Sequence, residues 1–201
     1  MGVSIEYRTN KMELPLFRQK YQDREKFMAY CRECPYYGAL WSCPPLTFDA
    51  DAFLAPYAWV NLLCAQIHLD DEIIQAADTA EKIKTTGWEI VSRAKNDVEK
   101  RMRMLETKAP DSRSLSSGGC NLCETCTRTV GLPCRRLEEM RYSMDAFGLD
   151  LTAITKDVFH IDILWCKDRL PKYFTLIHGL LAKEPTTEAL WESVGLSAKG
   201  L

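Results

Sequence analysis

The chain has 201 residues, 46% hydrophobic and 27% charged; these proportions exclude a disordered, collagen-like or coiled-coil chain and predict one domain over residues 1–201. Its 26 Lys and Arg against 28 Asp and Glu leave a net charge of −2, so no whole-protein field draws it to nucleic acid or to an anionic membrane. No apolar run approaches the roughly 18–20 residues that cross a bilayer, Met1–Arg8 lacks a secretory signal, and clustered cysteines suit a reduced compartment, so the expected location is the cytoplasm.

Taken in chain order, Val3–Tyr7 alternates weakly and predicts a short strand, and Asp23–Tyr30 predicts a helix running into the first cysteines. Tyr57–Ile67 follows Pro56, is rich in apolar and β-branched residues, and predicts a strand. From Asp70 onward Ile73, Ala77, Ala80, Ile83, Ile90, Ala94, Val98, Met102 and Leu105 recur every three to four residues, the pattern of a long amphipathic helix. Asp70 or Asp71 is its expected N-cap, Thr85–Gly87 a kink or division, and Ala109-Pro110 its end. Asp111–Gly119 predicts a loop or short strand, and Leu137–Phe147 a helix stopped by Gly148. Val158–Trp165 and Tyr173–Leu181 predict two strands, and Thr187–Val194 a last helix. The fold class is α+β: a small, mainly antiparallel sheet built around Trp59, Ile161 and Leu176. The long helix and Leu137–Phe147 would cover it, with both cysteine groups in loops at one end.

Nine cysteines are present, and seven fall in two groups, at residues 31–43 and 120–134. In the second, Cys120, Cys123 and Cys126 stand at two-residue intervals and Cys134 follows after seven more residues. Zinc sites pair Cys-x-x-Cys arms that are distant in sequence, whereas three cysteines at this spacing match the first part of the bacterial ferredoxin run that holds a 4Fe-4S cluster. The interval before Cys134 is longer than in a ferredoxin, and Arg135 replaces the usual proline; Cys134 closes the same cluster or serves a neighbouring one. Arg128, Arg135, Arg136 and Arg141 surround this group; they would offset the charge of a thiolate-bound cluster, dock an acidic partner, or form a solvated face with Glu138 and Glu139.

The first group, Cys31, Cys34 and Cys43, has three thiols and no fourth nearby in sequence. A zinc ion with one remote ligand competes here with a second cluster completed by Cys134, Cys64, Cys166 or a histidine. Pro35 and Pro44-Pro45 stiffen the backbone beside the sulfurs, and Tyr36, Tyr37 and Trp41 offer an apolar shell. Cys64 sits within an apolar strand and reads as core, and His68, His160 and His178, each in or beside an apolar run, read first as structural histidines. No Gly-rich phosphate loop, nucleophile elbow or His-Glu-x-x-His motif is present.

These residues together carry a resemblance. Cys31, Cys34-Pro35, Tyr37-Gly38 and Trp41-Ser42-Cys43-Pro44-Pro45, then Gly119-Cys120, Leu122-Cys123 and Cys126, then Pro133-Cys134-Arg135, and then Arg141, Ser143-Met144, Ala146 and Gly148-Leu149-Asp150 resemble a prokaryotic family described only as predicted metal-binding proteins. The resemblance covers about Cys31 to Leu181 and implies that Cys31, Cys34, Cys43, Cys120, Cys123, Cys126 and Cys134 are metal ligands. Seven is one short of two all-cysteine clusters, which calls for an eighth protein ligand, an exogenous ligand or a zinc site. The leading expectation is a 4Fe-4S protein, with one or two clusters, carrying electrons to a redox partner protein. The alternatives are an adaptor stabilised by zinc or a cluster, and an enzyme using an open iron position. The sequence does not specify the oligomeric state.

Overall fold

The computed structural model describes residues 2–197, in the order β1 (Val3–Glu13), α1 (Leu14–Tyr21), α2 (Arg24–Glu33), α3 (Ala50–Leu54), β2 (Trp59–Leu69), α4 (Asp71–Ala76), α5 (Ala80–Lys108), β3 (Arg113–Leu115), α6 (Leu151–Phe159), β4 (Tyr173–Ala182) and α7 (Glu188–Glu192). Short 3-10 turns lie at Thr127–Val130 and Met144–Phe147. The four strands form one antiparallel sheet in the order β1-β2-β4-β3. The α+β class is therefore as expected.

Strand β2 lies inside the sheet, which explains why its sequence is apolar almost throughout rather than alternating. Val60, Leu62 and Cys64 join Ile177 and Leu181 of β4 in a core on one face, while Leu63, Ala65 and Ile67 join Leu176 and Leu180 on the other. Helix α5 covers that second face with Ala94, Val98, Met102 and Leu105, spaced as one helical stripe requires. The first face is covered by Phe17 and Tyr21 of α1, Phe147 of the second 3-10 turn, and Ile154 of α6. The sheet thus has helical layers on both sides.

Several expected elements differ. The helix foreseen from Asp70 breaks after Ala76, because the Thr79 hydroxyl accepts the Lys82 amide and caps a new helix there. Gly87 does not divide α5; the absence of a side chain admits Leu170 and Phe174, which lie 3.3 and 3.4 Å from where a Cβ would stand. No helix forms over Leu137–Phe147: the backbone near Ser143 is taken by a parallel bridge to Ser116, and only the last four residues coil as a 3-10 turn, ended by Gly148 as foreseen. No strand forms over Val158–Trp165. Its apolar residues begin as the end of α6, capped by Asp150 and stopped by His160 in the left-handed region (φ 57°). The sheet instead recruits β1, longer than foreseen, and β3.

Gly148 adopts φ 74°, and a Cβ there would stand 2.7 Å from the Cα of Arg24. Its carbonyl accepts the Asp23 amide at 2.8 Å, which seats the start of α2 on this turn. Left-handed strain of about 1–2 kcal/mol plus overpacking of about 1–3 kcal/mol gives an expected loss of about 2–5 kcal/mol for Gly148→Ala, to be read by chemical denaturation.

Candidate metal centre

Helix α2 starts at Asp23, whose carboxylate accepts the Lys26 amide at 3.0 Å, and carries Cys31 in its last turn. Cys34 ends the helix, as the residue before a proline tends to. Cys31 is thus helical, whereas the sequence placed the whole group in a loop. The chain then turns back to bring Ser42 and Cys43 into the interior.

The second group sits on a long loop whose ends are pinned together. The Ser116 amide donates to the Tyr142 carbonyl at 2.8 Å, and the Met144 amide returns to the Ser116 carbonyl at 2.9 Å. Inside the loop the Thr127 hydroxyl donates to the Pro133 carbonyl at 2.8 Å, drawing Cys134 back toward Cys126. Arg135 and Arg136 donate to the carbonyls of Thr125 and Leu122 at 3.0 and 3.1 Å. These arginines hold the loop as well as bringing positive charge. As a result Cys120, Cys123, Cys126 and Cys134, separated by up to fourteen positions, line one concavity with Trp41, Leu122 and Met140.

Cys31, Cys34 and Cys43 line a different cavity of about 630 Å³, together with Tyr36, Asp145, Thr175 and Trp165. The two groups adjoin. The Cys120 amide donates to the Ser42 hydroxyl at 2.8 Å, so neighbours in the two groups share one hydrogen bond. Arg128 donates to the carbonyls of Leu40, Cys43 and Pro45 at 2.8, 2.7 and 2.6 Å while its guanidinium lies over the Trp41 ring at 5.1 Å. Gly119 allows this approach: a Cβ there would stand 2.6 Å from Leu40 Cδ1 and 3.4 Å from Cys43 Sγ. Ser42 stood within the motif without a role of its own, and the contacts of Arg128 across 85 positions left no sequence signal.

All nine cysteines are free thiols. Burial pushes the Cys43 thiol up to about 11, and raises those of Cys31, where the Asp145 carboxylate adds to the effect, and of Cys120. Neutral thiols of this kind become good ligands when a cation takes the place of the proton. Among the described residues no three His, Cys, Asp or Glu side chains are already gathered so as to hold a single metal ion. Each group lines a space instead, with soft sulfur donors around it.

Residues 16–181 match the family described as predicted metal-binding protein (DUF2284). The chain belongs to that family. The DUF2284 match takes in both cysteine groups, Arg128, Asp145 and the residues that tie the two groups together, whereas β1 and α7 lie outside it. No curated protein and no solved structure matches the chain.

The other candidate ligands lie elsewhere. Cys64 is core, 1% exposed, its thiol pushed by burial up to about 12. Cys166 is exposed, in a cavity with Asp78 and Trp88. His68 is half-buried beside Glu6, and His160 caps α6. His178 is buried in β4 with neither ring nitrogen hydrogen-bonded; burial pushes its pKa down to about 4, with Lys95 pushing the same way and Glu99 opposing. Lys95 and Glu99 of α5 form a buried ion pair beside it, and the Ser116 hydroxyl donates to Glu99.

Below pH 6.5 the unfolded chain takes up a proton that folded His178 refuses, so stability falls as pH falls. Glu99 acts in the same direction: although burial alone would raise its pKa, Lys95 lowers it on balance, so the unfolded chain protonates first. His178 alone is expected to cost about 1.4 kcal/mol per pH unit between roughly pH 6.5 and 4, on the order of 3 kcal/mol in all. Thermal melts across that range should show a shallower decline for His178→Leu than for the natural chain.

Proposed function

We propose that this DUF2284 protein is a cytoplasmic iron-sulfur protein that carries electrons to a partner enzyme, with a 4Fe-4S cluster on Cys120, Cys123, Cys126 and Cys134 and a second metal centre on Cys31, Cys34 and Cys43. The observation that supports this most is the sorting of seven cysteines into two adjoining cavities, four in one and three in the other, joined through Ser42 and Cys120. A bound cluster would supply one-electron chemistry that no side chain of the chain can supply. The protein's own residues would set its conditions. Trp41, Leu122 and Met140 limit water at the four-cysteine site, and Arg135 and Arg136 place cations beside its negative charge. The contact through Ser42 and Cys120 ties the two groups together, which supports reading them as a relay.

The exit side is consistent with a transient partner. Val130, Leu132 and Leu137, all on the second cysteine loop, are 68%, 57% and 56% exposed, and the same loop carries Arg135 and Arg136. No helix among the described residues is long and apolar enough to cross a membrane.

The test is iron, zinc and acid-labile sulfide analysis with an absorption spectrum, on protein purified without oxygen. About eight iron and eight sulfide per chain are expected for two clusters; about four of each with zinc would assign zinc to the three-cysteine group. Zinc without sulfide would overturn the redox reading in favour of a zinc-stabilised adaptor.

A further inference from the structure

The three-cysteine group needs a fourth donor, and the structure removes the candidates foreseen for it. Cys134 lines the other cavity, Cys64 and His178 are buried in the sheet, and Cys166 and His160 lie elsewhere on the surface. One carboxylate lines the cavity of Cys31, Cys34 and Cys43, that of Asp145; the other side-chain oxygens of the lining are hydroxyls and phenols.

Asp145 is held there from several sides. The Ser143 hydroxyl donates to its Oδ2 at 2.7 Å, and the Ser143 amide donates at 2.9 Å to the carbonyl of Ser42, the residue before Cys43. The same turn receives α2, and with it Cys31, through the bond between the Asp23 amide and the Gly148 carbonyl. Both segments that carry the thiols are therefore fixed to the turn that carries the carboxylate. Asp145, Cys31 and Cys43 line the same cavity. Among the described residues no Lys, Arg or His forms an ion pair with Asp145; its side-chain partner is a neutral hydroxyl. Asp145 is partly buried; a carboxylate partly withdrawn from water with no cation beside it is favoured by a metal ion, and carboxylate oxygen is an established ligand for zinc and iron.

We propose that Asp145 is the fourth protein ligand of the first metal centre, completing a three-cysteine, one-aspartate set with Cys31, Cys34 and Cys43. This rests on the reading that the first group holds a metal, and it supplies the eighth ligand that seven cysteines lack.

The test uses the full chain purified without oxygen, comparing the natural protein with Asp145→Asn, Asp145→Cys and a Cys31→Ser/Cys43→Ser double variant. Metal and sulfide per chain, electron paramagnetic resonance, and the rate of metal loss to a chelator are measured, with thermal melting as the folding control. Asn keeps the shape of Asp and can still accept the Ser143 hydrogen bond. Asp145→Asn is expected to lose the first centre's metal at least about tenfold faster, the scale on which ligand shells affect metal affinity, while the four-cysteine site keeps its iron. Asp145→Cys is expected to retain the metal with a shifted spectrum. Natural metal content, loss rate and spectrum in Asp145→Asn would overturn the proposal; should that variant not fold, an unchanged spectrum together with an unchanged rate of metal loss in Asp145→Cys overturns it. If the double variant loses no metal, the first group holds none, and the proposal falls with the reading beneath it.

Discussion

Cys123→Ser is expected to abolish the signature of the proposed 4Fe-4S cluster, removing about four iron and four sulfide per chain and the corresponding visible absorption. A serine hydroxyl is a hard, weakly acidic donor where a soft thiolate is needed. The sheet should survive. The cores on its two faces draw on the strands, the helices, the second 3-10 turn and a few flanking residues, none of them within the loop from Cys120 to Cys134. Far-UV circular dichroism should therefore stay near that of the natural chain while the metal is lost. Cys64→Ser makes the opposite control: it places a hydroxyl in an apolar core at a position 1% exposed, at an expected cost of about 1–3 kcal/mol, and leaves the metal count unchanged. A Cys123→Ser protein with its full iron and sulfide would remove that residue from the ligand set.

Glu106→Ala should be the most destabilising substitution outside the metal centres, at about 3–5 kcal/mol, the usual scale for breaking a buried ion pair from one side. Glu106, in α5, receives two bonds from the Arg141 guanidinium and the hydroxyl and amide of Ser114 in β3. Burial alone would raise its pKa, yet Arg141 and Ser114 together hold it below the ordinary carboxylate value. The side chains of Arg141 and Glu106 are 7% and 11% exposed, so the guanidinium left behind would have neither water nor a partner carboxylate. The same pair ties the end of the second cysteine loop to the sheet, so Glu106→Ala should also speed metal loss. Urea denaturation of Glu106→Ala and of a Glu106→Met/Arg141→Met double variant checks the account. The double variant is expected to be more stable than the single one, because it leaves no unpaired charge.

Much of the secondary structure was legible where a single period ran unopposed. The stripe from Ala80 to Leu105 made α5, and the apolar runs around Trp59 and Leu176 made β2 and β4. Where the pattern was ambiguous, tertiary bonds decided. Val158–Ile161 is apolar and β-branched enough for a strand, yet Asp150 caps a helix ahead of it and the helix end packs on the core through Phe159 and Ile161. Leu137–Phe147 has helical spacing, but Arg141 is claimed by Glu106 and Ser143 by Ser116.

The site divides along the same line. The sequence by itself determined the chemistry: seven cysteines in two groups, soft ligands at a cluster-like spacing, with no competing catalytic motif. That follows because ligand type and short-range spacing are local properties of the chain. Only the tertiary structure decided which thiols share a cavity, that Cys134 joins Cys120, Cys123 and Cys126, that Ser42 and Arg128 join the two groups, and that Asp145 lines the cavity of Cys31 and Cys43. Those contacts span from about ten to more than a hundred positions, and no periodicity encodes them; they exist because the sheet, the pinned loop ends and the Gly148 turn bring distant backbone together.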